Sequence, residues 1–255
     1  MASPISYKTW AHSSPQCIAF LIHGLGANSS WWEEFAQFLL KNNISSYAID
    51  LRRHTSFKEF FLLINELLAI IKKDNPGKKI FAVGESMGSL IILAMALKDK
   101  AVFDGLACIS PAFNSRAPLK PFDYVKIFLP LLYNPEKKYR LPVTSDMCTR
   151  DPAYLKMIET TYDKDVLSTS RVLFDIFIAQ ISMRIFGMKI GVPILFLVAG
   201  DDKLVYSDAS IKVFKKISAK DKNIIEYPGM YHSLSIDTGR EKVFADILNW
   251  MTRRI

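Results

Sequence analysis

Short hydrophobic runs alternate along this chain with longer stretches whose apolar residues recur at helical spacing. Cys17–Ile22, Ser46–Asp50, Lys79–Val83, Phe103–Ile109, Pro193–Ala199 and Asn223–Tyr227 read as strands. Several are apolar at successive positions, as strands covered on both faces are. Between them, helices are predicted over Trp31–Leu40, Phe57–Ile71, Ser89–Lys98 and Tyr206–Ile217, with a terminal helix burying Val243, Phe244, Ile247 and Leu248. The second helix puts Phe57, Phe60, Phe61, Ile64, Leu67, Leu68 and Ile71 on one face. Ser30 with Glu33, Ser56 with Glu59 and Thr238 with Glu241 predict capped starts, and Asn75-Pro76-Gly77 a stop. Leu90–Leu97 is apolar all round, as expected of a helix buried under a sheet. This β-α alternation predicts an α/β fold with a parallel sheet covered on both sides.

One segment breaks the alternation. From Ser110 to Gly191 no sheet strand is expected, only helical or irregular stretches. Residues 111–190 are therefore assigned to an insertion, and residues 1–110 and 191–255 to the core domain. Within the insertion, Phe122–Tyr133 is strongly apolar and broken by Pro130. A later helix, Ser168–Phe186, anchors the insertion.

The most informative chemistry lies in Gly84-Glu85-Ser86-Met87-Gly88, between a strand and a helix. In that context a glycine-flanked serine sits on a tight turn that lifts its hydroxyl above the sheet edge. The helix that follows points its N-terminus at the same spot. A serine hydroxyl needs an imidazole to take its proton and a carboxylate to orient that imidazole. On such an elbow, acid and imidazole follow the serine in the chain. Of the four histidines, His12, His23, His54 and His232, only His232 does so. The acid is expected in Gly200–Val205, the loop that ends a buried strand, where parallel sheets gather catalytic groups. Asp201 and Asp202 both stand there; Asp202 is assigned to the imidazole and Asp201 to the turn. His23-Gly24-Leu25-Gly26 follows the first strand, and its glycines let backbone approach a reacting carbonyl. The backbone amides of Leu25 and Met87 are the expected oxyanion donors. The His23 side chain is read as structural.

Together, His23–Gly26, Gly84–Gly88, Ala199–Val205 and Gly229-Met230-Tyr231-His232 resemble the monoacylglycerol lipase and lysophospholipase branch of the α/β hydrolases. The resemblance runs from about Tyr7 to Arg254. It implies a Ser86–Asp202–His232 triad cleaving carboxylic esters of single-acyl-chain lipids, without metal or organic cofactor. It also implies that residues 111–190 are a lid. Phe128, Leu131 and Leu132 then either line an acyl tunnel or pack on the core, and Met183 and Phe186 are equally packing residues or substrate contacts. Three departures stand out. Ser89 replaces a second glycine after the elbow, and Asp50-Leu51-Arg52-Arg53-His54-Thr55 departs from the usual Asp-x-Arg-Gly-His-Gly. The first, antiparallel strand of the fold is expected to be missing. Alternatives kept open are a carboxylesterase for short-chain or aromatic esters, acyl transfer to an alcohol, and a ligand-binding protein with little turnover.

Composition narrows the setting. The chain has 255 residues, half of them hydrophobic, enough for one large core. Cys17, Cys108 and Cys148 have no metal-ligand spacing, so neither a zinc site nor a disulfide framework is expected. No basic region leads into an apolar run at the N-terminus, and a cytoplasmic location is the expectation. The net charge of +8 is spread along the chain without a nucleic-acid-binding motif, so nucleic acid is not an expected partner. Transient contact with a membrane surface through the lid is a secondary expectation; oligomeric state is left open.

Overall fold

A computed structural model describes residues 5–51, 55–116, 121–161 and 166–255. Arg52, Arg53 and His54 of the departing turn, and residues 1–4 of the N-terminal reading, lie outside the described residues. So do residues 117–120 and 162–165 of the insertion.

The described strands form a seven-stranded sheet: β1 (Tyr7–Trp10), β2 (Ile18–Ile22), β3 (Ser45–Ile49), β4 (Ile80–Glu85), β5 (Gly105–Ile109), β8 (Ile194–Ala199) and β9 (Lys222–Tyr227). The order across the sheet is β1-β3-β2-β4-β5-β8-β9, with every pairing parallel except β1 on β3. The expectation of a missing antiparallel strand is thereby corrected: Tyr7–Trp10 runs antiparallel along the edge. Only Trp10 of that strand is buried, so the sequence there shows no alternating apolar pattern.

Every residue of β2, β5 and β8 is buried, as the successive apolar positions predict. Alternate residues feed two separate cores. Ile18, Phe20 and Ile22 join helices α2 (Phe57–Asp74), α3 (Met87–Lys98), α7 (Ser170–Phe186) and α8 (Ser207–Lys216). Ala19 and Leu21 join α1 (Glu33–Lys41) and α9 (Arg240–Thr252) on the other face. A strand period of two thus divides one run between two helical layers.

Local signals hold unevenly. Ser56 caps α2, its Oγ 3.3 Å from the Glu59 amide, while Glu59 Oε2 takes the Thr55 amide at 2.8 Å. The other two capping boxes are not used. Asn28 accepts the Ser30 amide at 2.7 Å and starts a 3-10 turn over Ser29–Trp32, so α1 begins only at Glu33. Glu33 instead accepts a bond from Trp10 Nε1 at 3.0 Å. Gly239, in a left-handed conformation, precedes α9, and no side chain caps that helix.

Between β5 and β8 lie α4 (Pro121–Phe128), α5 (Ser145–Cys148), α6 (Pro152–Thr161) and α7. A short pair, β6 (Lys138–Arg140) on β7 (Leu167–Thr169), joins them without entering the main sheet. Helix α7 is docked on the core: Asp175 Oδ2 accepts the Phe57 amide at 2.8 Å, and Val172, Ala179 and Met183 are buried.

Candidate active site

The loops that follow β2, β4, β8 and β9 all leave from the C-terminal edge of the parallel strands, where open α/β sheets collect ligands. Ser86 sits between β4 and α3 with φ 56° and ψ −113°. A non-glycine residue with positive φ is strained, and a neighbourhood that over-determines the backbone must hold it. Here the Ser86 amide donates to the Ile109 carbonyl at 2.8 Å and its carbonyl accepts the Ser89 amide at 3.1 Å. A β-carbon on Gly84 would lie 2.5 Å from the Gly88 carbonyl carbon, and one on Gly88 would lie 2.2 Å from the Ile22 oxygen. Both flanking glycines are therefore required by backbone contact. Ser89, in place of a further glycine, is fully buried; its Oγ lies 2.7 Å from the Gly84 oxygen and 3.1 Å from the Ile109 oxygen.

The loop after β2 reaches the elbow. A β-carbon on Gly24 would stand 3.2 Å from Ser86 Cβ and 3.9 Å from its Oγ, so glycine backbone faces the serine directly. Met87 opens α3, where the first amides lack partners within the helix. Leu25, partly buried, packs on the core. The His23 ring supports this loop from below. Its Nδ1 faces the Gly24 carbonyl at 2.8 Å, and its Nε2 receives the Leu51 amide at 3.0 Å. A carbonyl only accepts and an amide only donates, which fixes the Nδ1–H tautomer.

Asp202 and His232 meet across two loops, with Asp202 Oδ2 2.8 Å from His232 Nδ1. The other oxygen, Oδ1, accepts the amides of Leu204 and Val205, each at 2.8 Å. Asp201 is exposed and points its amide to the Met230 carbonyl at 3.0 Å. Asp202, not Asp201, reaches the imidazole. His232 is buried, and that burial disfavours its charged form. The charge and hydrogen bond of Asp202, with the charge of Glu85, outweigh it and raise the pKa above the ordinary imidazole value.

Two further acids brace the histidine loop, and the motif reading gave neither a role. Glu85, buried, meets the Ser235 amide at 3.1 Å and the Ser235 hydroxyl at 2.9 Å. Asp237, fully buried, accepts the Tyr231 amide at 2.7 Å, the Arg150 amide at 2.7 Å and the Arg150 guanidinium at 2.9 Å. A charged residue ending an apolar strand was the available signal for Glu85; Asp237 carried none. Cys148, beside this loop, is buried, which with nearby acids pushes its thiol to about 12 and makes it unreactive.

The residues expected at a substrate pocket are dispersed. Phe128 packs among Phe174 and Phe177 of α7, with ring centres 5.5 and 5.4 Å away. Leu131 is half-buried and Leu132 is 84% exposed. Met183 is fully buried in the core. Phe186 lines a groove of about 640 Å3 with Phe57, Phe61, Ile178 and Leu97. Leu97 stands on the same helix that Ser86 starts, roughly 16 Å along it. That end of the groove is therefore remote from the serine. Among the described residues no three His, Cys, Asp or Glu side chains group as a metal site.

The family model Hydrolase_4, described as serine aminopeptidase, S33, matches residues 13–239. The chain belongs to that family. It is 25% identical to human monoglyceride lipase over 259 residues, covering 94% of this chain and 84% of the relative. It is also 25% identical to phospholipase YtpA of Bacillus subtilis, covering 92% of this chain and 95% of that protein. Among solved structures, the monoacylglycerol lipase of Paleococcus ferrophilus superposes with a TM-score of 0.89 at 22% identity, over 99% of this chain and all of that one. The fold is that of the α/β-hydrolase monoacylglycerol lipases. Among the described residues no helix is long and apolar enough to cross a membrane.

Proposed function

We propose that this serine ester hydrolase cleaves single-acyl-chain lipids, a monoacylglycerol or a lysophospholipid, through an acyl-enzyme on Ser86. The observation that carries the reading is the buried Asp202–His232 pair on the sheet edge that also carries the strained Ser86. Ser86 Oγ attacks the ester carbonyl while His232 Nε2 takes its proton, and Asp202 holds the imidazolium at Nδ1. The amides of Leu25 and Met87 receive the developing oxyanion, each contributing about 2.7–4 kcal/mol to the transition state. His232 returns the proton to the departing alcohol. It then takes one from water, which attacks the acyl-enzyme, and passes that proton to Ser86 Oγ as the acid departs.

The single-chain lipid class draws support from the names of the relatives and from the insertion. Phe122, Val125, Leu129 and Leu132 stand exposed around α4, an apolar surface suited to lipid contact. In this reading residues 111–190 are a lid that touches a lipid surface transiently.

Intact-protein mass spectrometry after fluorophosphonate treatment tests the nucleophile. One adduct on wild type and none on Ser86→Ala is expected; an adduct of equal yield on the variant would refute the assignment. Hydrolysis of glycerol monoesters and lysophospholipids across a chain-length series then tests the substrate class. A preference for acetyl or aromatic esters would overturn it.

A further inference from the structure

Glu85 ends β4 one residue before the serine and is 3% exposed. A buried carboxyl is costly to keep and needs partners. Both of its partners belong to one residue. Oε1 takes the amide of Ser235 at 3.1 Å and Oε2 lies 2.9 Å from its hydroxyl. Ser235 stands three residues after His232, in the loop that closes with Asp237. The carboxyl thus joins the nucleophile elbow to the histidine loop across 150 residues of sequence.

We propose that Glu85 is a second positioning carboxylate of this site, which ties the His232 loop to the elbow and places a second acid in the field of the imidazole. The proposal rests on His232 being the base that serves Ser86. A tie alone would be met by any hydrogen-bonding side chain of this shape, so the charge is the part that needs independent support. The groups facing Glu85 supply it. From their own loops, His232 and Asp202 act on it, and from α5 the Cys148 thiol lies in its field. Burial pushes the Glu85 carboxyl up to about 7, with the Ser235 bonds and His232 drawing it down and Asp202 pushing it up. The reciprocal effect is already present in His232, whose raised pKa owes part of its rise to Glu85. Glu85 and His232 are therefore coupled, the charge of each favouring the charged form of the other. During attack the proton of Ser86 moves to His232 and none moves to Glu85. The ionised carboxylate favours the imidazolium that forms, alongside Asp202.

Glu85→Gln keeps the shape, offers an oxygen to the Ser235 amide and an NH2 to its hydroxyl, and removes only the charge. Glu85→Leu removes charge and tie together. The His232 ring signal is followed by NMR through a pH titration in wild type and Glu85→Gln, and Ser86 labelling by fluorophosphonate is timed in all three proteins. Expected is a fall of the His232 midpoint by about half a pH unit or more in Glu85→Gln, with the acidic limb of the labelling rate moving equally. Labelling of Glu85→Leu at optimal pH is expected to be about 100-fold slower than wild type, because the loop loses its register. An unchanged midpoint in Glu85→Gln overturns the electrostatic part, and wild-type labelling by folded Glu85→Leu overturns the tie. Should wild type resist labelling, the reading of Ser86 fails, while the His232 midpoint still decides the influence of Glu85.

Discussion

Gly88→Ala is a one-carbon change that tests how the elbow is built. A β-carbon at residue 88 would lie 2.2 Å from the Ile22 carbonyl oxygen, 2.9 Å from its carbon and 3.0 Å from the His23 oxygen. An ordinary carbon–oxygen contact is roughly 3.3 Å, so about 1 Å of backbone displacement is required. Neither side yields cheaply. Ile22 is in register with Ile49 on one neighbour and Gly84 on the other, so moving it disturbs two ladders. Moving α3 instead drags Ser86 from the loop that carries Gly24 and Leu25. Overpacking typically costs 1–3 kcal/mol, and backbone on both sides puts this case near 3 kcal/mol. At about 2–4 °C per kcal/mol for a chain of this size, the melting temperature should fall by roughly 6–12 °C. A displacement of about 1 Å between reacting groups should lower kcat/KM about 100-fold. Gly191→Ala is the control, since nothing lies within 4 Å of its added carbon. Thermal melts and hydrolysis of a soluble nitrophenyl ester read both effects. A Gly88→Ala protein that matches the Gly191→Ala control in both would refute the backbone-contact account.

His232 must be neutral to accept a proton, and its pKa is raised, so activity should be lost on acidification at a pH above the ordinary imidazole value of 6.5; a kcat/KM profile with its acidic midpoint at or below that value would contradict this. Asp237→Ala strands three donors, the amides of Tyr231 and Arg150 and the Arg150 guanidinium. Because the Arg150 side chain is 37% exposed and can rehydrate, the loss should be about 2–3 kcal/mol, below the usual cost of breaking a buried pair, and a urea melt indistinguishable from wild type would refute it.

Sequence and structure agree where chemistry is local. The elbow is legible because strand, tight turn and helix each leave a mark within a few residues of Ser86. The central parallel strands are legible because both of their faces are covered. Tyr7–Trp10 is not, since a single inward residue makes no periodicity. Ser30 and Glu33 have the spacing of a capping box, yet Asn28 takes the Ser30 amide and Trp10 occupies the Glu33 carboxyl, so tertiary partners displace the local pattern. The ties of Glu85 to Ser235 and of Asp237 to Arg150 are illegible for the same reason, because each joins residues far apart in sequence. The insertion is the least legible part. Its helices are apolar, and sequence alone does not distinguish Met183, buried in the core, from Leu132, open to solvent.

The two cores and the site loops are held by different forces. Apolar burial on both sides fixes the strands, but hydrophobic attraction has no direction and cannot set a loop to the sub-ångström tolerance that proton transfer needs. At the sheet edge that work falls to carboxylates accepting backbone amides. Asp202 holds Leu204 and Val205 while it faces His232; Glu85 holds Ser235; Asp237 holds Tyr231 and Arg150. A buried acceptor left unpaired is expensive, so each of these acids tolerates little displacement of the loop it grips. The residues on either side of His232 are pinned this way, Tyr231 to Asp237 and Ser235 to Glu85. The imidazole is therefore presented from a loop clamped at both ends, and its Nδ1 is already bonded to Asp202 before any substrate arrives. In the proposed reaction, preorganisation of this kind would let a loop histidine act with the accuracy of one mounted on a helix.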